Sequence, residues 1–314
     1  MTGLSLARLA VPALLAAATA WYLDRSMGAR RLLPPGFVAS GLRRVAGAVV
    51  VGLLLWVGVF LPLGAIGTDV QPDVSKLTPP DLFLLHLLML LTLGIWFLLG
   101  FAGVREARPA AALPAPPSDS AEGEERLPVE APSIAGEGGA VVPVVAPALS
   151  RRFAQQLGLL APSIPRELGL GLGLGFGAWA AVLAVMALIA LALYLSGNTA
   201  APKELPALVP WLAGQPLYLR VGLCLSAGFV EELFFRGFLQ PRVGIVLSSA
   251  LFALAHLSYG QPLMLVGITL LSLIYGLLVR WRQSIWAAVA AHSLFDGIQL
   301  LILVPLVIKL MRKG

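Results

Sequence analysis

The sequence predicts an all-α fold, a polytopic transmembrane helix bundle of about eight spans. Two features of composition and one of patterning predict it. Hydrophobic residues make up 58% of the chain and charged residues 12%, with a mean hydropathy of +0.88. A soluble domain of this length needs far more polar surface. The apolar residues also gather into runs near the roughly 20 residues that cross a bilayer. The runs fall at 3–23, 45–67, 82–104, 168–196, 215–236, 243–260, 262–280 and 284–309. Helix is the expected element throughout, because a helix satisfies its own backbone hydrogen bonds in lipid.

The first run carries Arg8 and ends in Ala18-Thr19-Ala20, the pattern of a signal peptide with a small-residue cleavage site. Cleavage there would leave Arg25, Arg30, Arg31, Arg43 and Arg44 outside, against the positive-inside tendency. An uncleaved first span with an outer N-terminus is therefore expected. Asp69, Asp73 and Asp81 then fall outside, and Arg105, Arg108, Arg151, Arg152, Arg166, Arg242, Arg280 and Arg282 fall in the cytoplasm. Lys309, Arg312 and Lys313 are the misfit, which a bend of the last run at Asp296-Gly297 or Pro305 would repair. The short run at 243–260 is a second irregularity.

Three domains follow from composition. Residues 1–104 form an N-terminal three-span bundle, and 151–314 form a C-terminal bundle that holds the chemistry in about 215–300. Between them, residues 105–150 are rich in Pro, Ala, Gly and Glu and contain no aromatic residue. Such a segment buries too little apolar area to offset its ordering entropy, so it reads as a disordered cytoplasmic linker. The glycines of "LGLGLGLGFG" (168–177) read as close helix packing. A nucleotide loop is not expected there, since no strand precedes it and no Lys follows.

The formal charge of +6 comes mainly from Arg in short loops, so it reports topology and implies no nucleic-acid partner. Cys224 is the single cysteine, which excludes an internal disulfide and Cys-based metal sites. On an apolar helix it reads as a packing residue.

The unusual residues are charges inside apolar helix. "GFVEELFFRGF" (228–238) holds Glu231, Glu232 and Arg236. Each charge at mid-bilayer costs roughly 2.5–3.5 kcal/mol, so the group must be compensated or must face a cavity. Glu232 and Arg236 are four apart, on one helix face, with the acid N-terminal to the base. Glu231 is turned by about 100° from Glu232 and keeps a free carboxylate. His256 and His292 also sit in apolar helix, and His292 shares a face with Asp296. By helical rise, Glu231, His292 and His256 lie some ~8, ~12 and ~20 Å from the cytoplasmic side. They can converge in a cavity open to the cytoplasm. His86, in "LFLLHLLML", has no polar neighbour in sequence and reads as a bland interhelical hydrogen bond.

A free carboxylate with two imidazoles and another polar group suits hydrolysis. One group takes a proton from water, and the others stabilise the oxyanion of a tetrahedral intermediate. Neither GxSxG nor HExxH is present. No cofactor is the first expectation. Glu231, His256 and His292 are also the set that would hold zinc or another divalent metal in an open three-ligand site.

"EELFFR" (Glu231, Glu232, Arg236), "FALAH" (Phe252, His256) and "HSLFD" (His292, Asp296) resemble the motifs EExxxR, FxxxH and HxxxN/D. These are the motifs of the CAAX prenyl endopeptidase-like family of intramembrane proteases, also called CPBP or abortive-infection-like. The resemblance covers about 215–300 and implies roles. Glu231 would be the general base activating water, assisted by His292. His256 and residue 296 would stabilise the oxyanion, while Glu232 and Arg236 would support the site. Asp296 departs from the Asn of eukaryotic-type members. A carboxylate donates to an oxyanion only when protonated, so Asp296 would instead orient His292 or bind a metal. The N-terminal spans and the linker lie outside the motifs.

The expectation is an intramembrane endopeptidase that cleaves a membrane-associated protein or peptide with glutamate-activated water. The alternatives are a metal-dependent version of the same protease and a non-proteolytic scaffold or bacteriocin-immunity protein that retains the motifs. A proton-relay transporter is a third reading, opposed by the absence of an internal repeat and by ionisable groups clustered on one side. Composition suits a multi-pass bacterial inner-membrane protein with its site opening to the cytoplasm and an unprenylated substrate. The bilayer is an expected partner. Substrate identity and oligomeric state are left open.

Overall fold

The structure, a computed structural model, describes residues 3–27, 41–60, 77–101, 149–197, 208–257 and 262–311. Among the described residues all regular structure is helical. The elements are α1 (Gly3–Met27), α2 (Gly41–Leu55), α3 (Asp81–Phe101), α4 (Leu149–Gln156), α5 (Ile164–Leu195) and α6 (Leu208–Ala213). They continue with α7 (Leu217–Glu232), α8 (Gln240–Ala255), α9 (Pro262–Arg282), α10 (Trp286–Gly297) and α11 (Val304–Met311). π-helical turns extend α2 over Trp56–Phe60, α7 over Leu233–Leu239 and α10 over Ile298–Leu303.

Five described stretches are long and apolar enough to cross a membrane: Asp81–Leu99, Ile164–Leu195, Leu217–Ala255, Leu263–Arg282 and Trp286–Met311. Ala10–Tyr22 and Val45–Phe60 are shorter apolar helices. The expected count of about eight is therefore not reached by separate long helices. The predicted linker at 105–150 lies outside the described residues, apart from its last two positions, which begin α4.

The runs expected at 215–236 and 243–260 are joined in one helical stretch without an intervening loop. It nevertheless reverses direction at Gly244, whose φ of 82° and ψ of 171° interrupt the helix. That backbone region is open to glycine and closed to most side chains. The reversal follows from contacts across it. Ser248 Oγ donates to Phe235 O at 2.7 Å, and the Phe235 and Phe252 rings are 4.9 Å apart. In a straight helix, residues 13 positions apart would stand about 20 Å apart. Leu217–Leu239 and α8 are thus two arms lying side by side. "QPR" at 240–242 reads as a loop in sequence, yet Pro241 sits in the first turn of α8, where its missing N–H costs nothing. Arg242 is not a solvated loop charge: its guanidinium stacks on Phe238 at 4.1 Å and Trp96 at 5.0 Å, and it donates to Phe238 O.

The last run has no break in its helix at Asp296-Gly297 or Pro305, where a bend is expected. It stays helical from Trp286 to Met311. The ladder widens into π turns at Ile298–Leu303, and Pro305 falls in the turn that follows, where its absent donor is accommodated.

Small residues bring α5 and α10 together. A β-carbon at Gly171 would lie 2.8 Å from Ala290 Cβ, and one at Gly175 2.8 Å from Ala291 Cβ, so neither position has room for one. Gly169, Gly173 and Gly177 meet nothing within 4 Å, which marks the other face of α5. The glycine run is a packing surface, as its spacing predicts. At one end of the bundle Arg282 clasps Glu167 with Nε to Oε2 at 3.0 Å, Ile285 N donates to Gly158 O at 2.9 Å, and Trp286 Nε1 donates to Leu159 O at 2.9 Å. The start of α5, the end of α9 and the start of α10 therefore share one end. The core beneath is aromatic, with Trp96, Phe234, Phe235 and Phe238 fully buried. Trp96 joins the N-terminal helices to it, edge-on to Phe238 at 4.9 Å.

Candidate active site

The end of α7 supplies Glu231 and Glu232, and the π turns that follow supply Arg236. Arg236 Nε stands 3.1 Å from Glu232 Oε2, with side-chain exposures of 1% and 0%. The guanidinium also donates from Nη2 to Ser272 O at 3.2 Å and Ser272 Oγ at 3.0 Å, and it covers the Phe252 ring at 4.5 Å. α9 thus accepts from Nη2, while Nη1 is buried without a hydrogen-bond partner. The pair predicted from four-residue spacing is present and sealed.

Glu232 has a second partner that spacing does not reveal. His292 Nδ1 donates to Glu232 Oε1 at 2.9 Å, across 60 residues of sequence. A carboxylate in an ion pair only accepts, so Nδ1 carries a proton. The other ring nitrogen, Nε2, faces Asp296 Oδ2 at 3.6 Å. Tyr275 stacks on the ring at 5.6 Å and 27°. The result is a line running Arg236, Glu232, His292, Asp296.

Glu231 turns away from that line. Its Oε1 is 3.7 Å from His86 Nε2, its Oε2 is 3.8 Å from His256 Nε2, and Oε2 has no hydrogen-bond partner. His256 Nδ1 donates to Phe252 O at 2.8 Å, one turn back on α8. That bond fixes the proton on Nδ1 and leaves Nε2 to exchange one with Glu231. Gly228 allows α7 and α10 to close here, since a β-carbon on it would lie 2.9 Å from Ser293 N. Exposure rises from 0% at Glu232 to 17% at Glu231 and 29% at Asp296. The open side of the cluster is therefore the side of Glu231 and Asp296.

All six sequence-predicted residues, Glu231, Glu232, Arg236, His256, His292 and Asp296, come together. The structure places His292 beside Glu232, whereas the resemblance attaches it to Glu231; the imidazole of the predicted set that faces Glu231 is His256. The residue that sequence reasoning missed is His86 on α3. It does make an interhelical hydrogen bond, with Ser226 Oγ at 2.9 Å, but it also faces Glu231. The sole sequence signal was an imidazole in an apolar run.

The donors do not fit the three-ligand zinc arrangement of Glu231, His256 and His292, because His292 directs its nitrogens to Glu232 and Asp296. Among the described residues no group of three His, Cys, Asp or Glu side chains is placed to hold a metal ion.

Comparison with known proteins meets this geometry in one segment. Residues 213–298 match the family model described as type II CAAX prenyl endopeptidase Rce1-like. A 77-residue stretch, 24% of this chain, is 32% identical to the "Uncharacterized protein YpbD" of Bacillus subtilis (strain 168). That stretch spans 41% of the relative's length. No solved structure matches the chain. Residues 213–298, which carry α7 to α10 and the three motifs, are therefore the Rce1-like segment of the chain, the part similar to type II CAAX prenyl endopeptidases.

Proposed function

We propose that the protein is an intramembrane endopeptidase that hydrolyses a peptide bond of a membrane-associated protein or peptide with water activated by Glu231. The observation that carries this reading is the buried Glu231 Oε2, without a hydrogen-bond partner and faced by His256 Nε2 at 3.8 Å, inside the Rce1-like segment. A base needs a proton acceptor that no strong partner holds: Glu231 Oε2 is 3.8 Å from His256, whereas Glu232 has Arg236 Nε at 3.1 Å and His292 Nδ1 at 2.9 Å.

In this scheme water on the open side of Glu231 gives a proton to Oε2 as its oxygen attacks the scissile carbonyl. His256 takes up and returns that proton through Nε2, so the leaving amine departs protonated and a carboxyl group remains. His292 serves the oxyanion from Nε2. Each of its nitrogens faces a carboxylate, so a ring protonated on both has an acceptor for each. Asp296 holds that ring in orientation, a task that a carboxylate performs without donating. This division gives His256 to the base and His292 to the oxyanion, following the pairs that the structure brings together.

The membrane arrangement belongs to the same proposal. The shared end of α5, α9 and α10 carries Arg166, Arg280 and Arg282, which supports placing it in the cytoplasm of a bacterial inner membrane. The three-domain division, with a linker at 105–150, is proposed on composition. The test is a map of new peptide termini in membranes of cells making wild-type protein or Glu231→Gln. Termini present with wild type and lost with Glu231→Gln are expected. Identical maps would leave the scaffold reading in its place.

A further inference from the structure

We propose that His86 of α3 is a positioning residue of this site, fixing the Glu231 carboxylate from outside the Rce1-like segment. The inference rests on the proteolytic reading above for its kinetic part and on geometry alone for its contact part.

Three observations carry it. His86 is 6% exposed in an otherwise apolar helix, so its burial must be repaid by partners. Its Nδ1 lies 2.9 Å from Ser226 Oγ on α7, and its Nε2 lies 3.7 Å from Glu231 Oε1. Ser226 and Glu231 are on the same helix, so one ring bridges two points of α7. A hydroxyl can donate to Nδ1, and that bond leaves the ring proton on Nε2, the nitrogen facing the carboxylate. With Ser226 as the donor in that bond, His86 aims an N–H at Glu231 Oε1.

His256 presents the opposite tautomer. Its Nδ1 donates to Phe252 O, and its Nε2 stands 3.8 Å from Glu231 Oε2. The two imidazoles thus make the two carboxylate oxygens unequal. Oε1 is steadied by a donor, and Oε2 is left to exchange a proton. The titratable groups that the structure brings near Glu231 are His86 from α3 and His256 from the end of α8, in contact range, with His292 and Asp296 of α10 close enough to act on it through charge. Glu232 turns instead to Arg236 and His292. The N-terminal bundle, which the motifs do not reach, supplies this steadying group. Trp96, further along α3, packs on Phe238 and holds the helix in place.

The chain has three histidines, so a ring-15N NMR spectrum of full-length protein in nanodiscs resolves each, with His86 assigned by its loss in His86→Gln. Glu231→Gln and Ser226→Ala should each move the His86 ring signals. On a protein whose cleavage depends on Glu231, His86→Ala should lower kcat by about 100-fold with KM little changed, the scale of a misplaced catalytic group. His86→Gln, whose side-chain amide can donate in the same direction, should restore kcat to within about tenfold of wild type. His86 ring signals that ignore Glu231→Gln would overturn the contact. Wild-type kcat in His86→Ala would overturn the positioning role, and so would equal loss in His86→Ala and His86→Gln at unchanged melting temperature. If no cleavage depends on Glu231, the proteolytic reading fails, and the ring signals alone decide whether His86 engages the carboxylate.

Discussion

Glu232 is held from two sides: Arg236 Nε lies 3.1 Å from its Oε2, and His292 Nδ1 lies 2.9 Å from its Oε1. This carboxylate joins α7 to α10 and, through Arg236 and Ser272, to α9. It is a structural hub beside the proposed base, and the two neighbouring glutamates have separate tasks.

Removing one member of the sealed pair leaves the other uncompensated. Glu232→Gln and Arg236→Met should each destabilise the protein by about 3–5 kcal/mol, read as a fall in melting temperature in detergent or nanodiscs. The double variant should fall by less than the sum of the two. Unaltered melting in both single variants would show that the charges are not sealed from water.

The α5–α10 seam should tolerate change on one face only. Gly175→Val presses a side chain against Ala291, where a β-carbon alone would already be 2.8 Å from Ala291 Cβ, and should cost about 1–3 kcal/mol. Gly173→Ala meets nothing within 4 Å and should be neutral, or stabilising by up to about 1 kcal/mol. Equal melting temperatures in the two variants would contradict the packing.

Much of this site was legible because its logic is local. Four-residue spacing gives Glu232 with Arg236 and His292 with Asp296, and a 100° turn separates Glu231 from Glu232. Depth along each helix puts Glu231, His292 and His256 on the cytoplasmic side of the bilayer's middle or near it, within reach of one cavity. What spacing does not give is which imidazole meets which carboxylate, since that depends on the rotation of α8 and α10 against α7. His86 was illegible for the same reason, as its partners Ser226 and Glu231 lie on α7, with three other described helices between it and α3. The number of crossings is hard to read for a different reason. A reversal made by Gly244 without a polar loop, and π turns in place of breaks, let the backbone change course while remaining helical.

Asp296 should act through geometry. Asp296→Asn keeps an oxygen that can accept from His292 Nε2, whereas Asp296→Ala does not. The Asn variant should retain most of the turnover, and the Ala variant should lose on the order of 100-fold, the cost of a loosened catalytic group. Full activity in Asp296→Ala would remove Asp296 from the site.

Exhaustive chelation tests the metal-free route. Purified protein should keep its peptidase activity after chelator treatment, with no stoichiometric metal found by elemental analysis. Zinc lost together with activity, and activity regained on adding zinc back, would replace the scheme with the metal-dependent one.

The central claim is that Glu231 activates water. Its most direct measurement is single-turnover cleavage, by purified wild-type and Glu231→Gln protein, of a substrate identified from the terminus maps, with binding measured in parallel. The account predicts that Glu231→Gln binds within a few-fold of wild type, because the amide keeps the shape. It also predicts a cleavage rate lower by about 100- to 10,000-fold, the contribution of a positioned base. Cleavage by Glu231→Gln at the wild-type rate would contradict it.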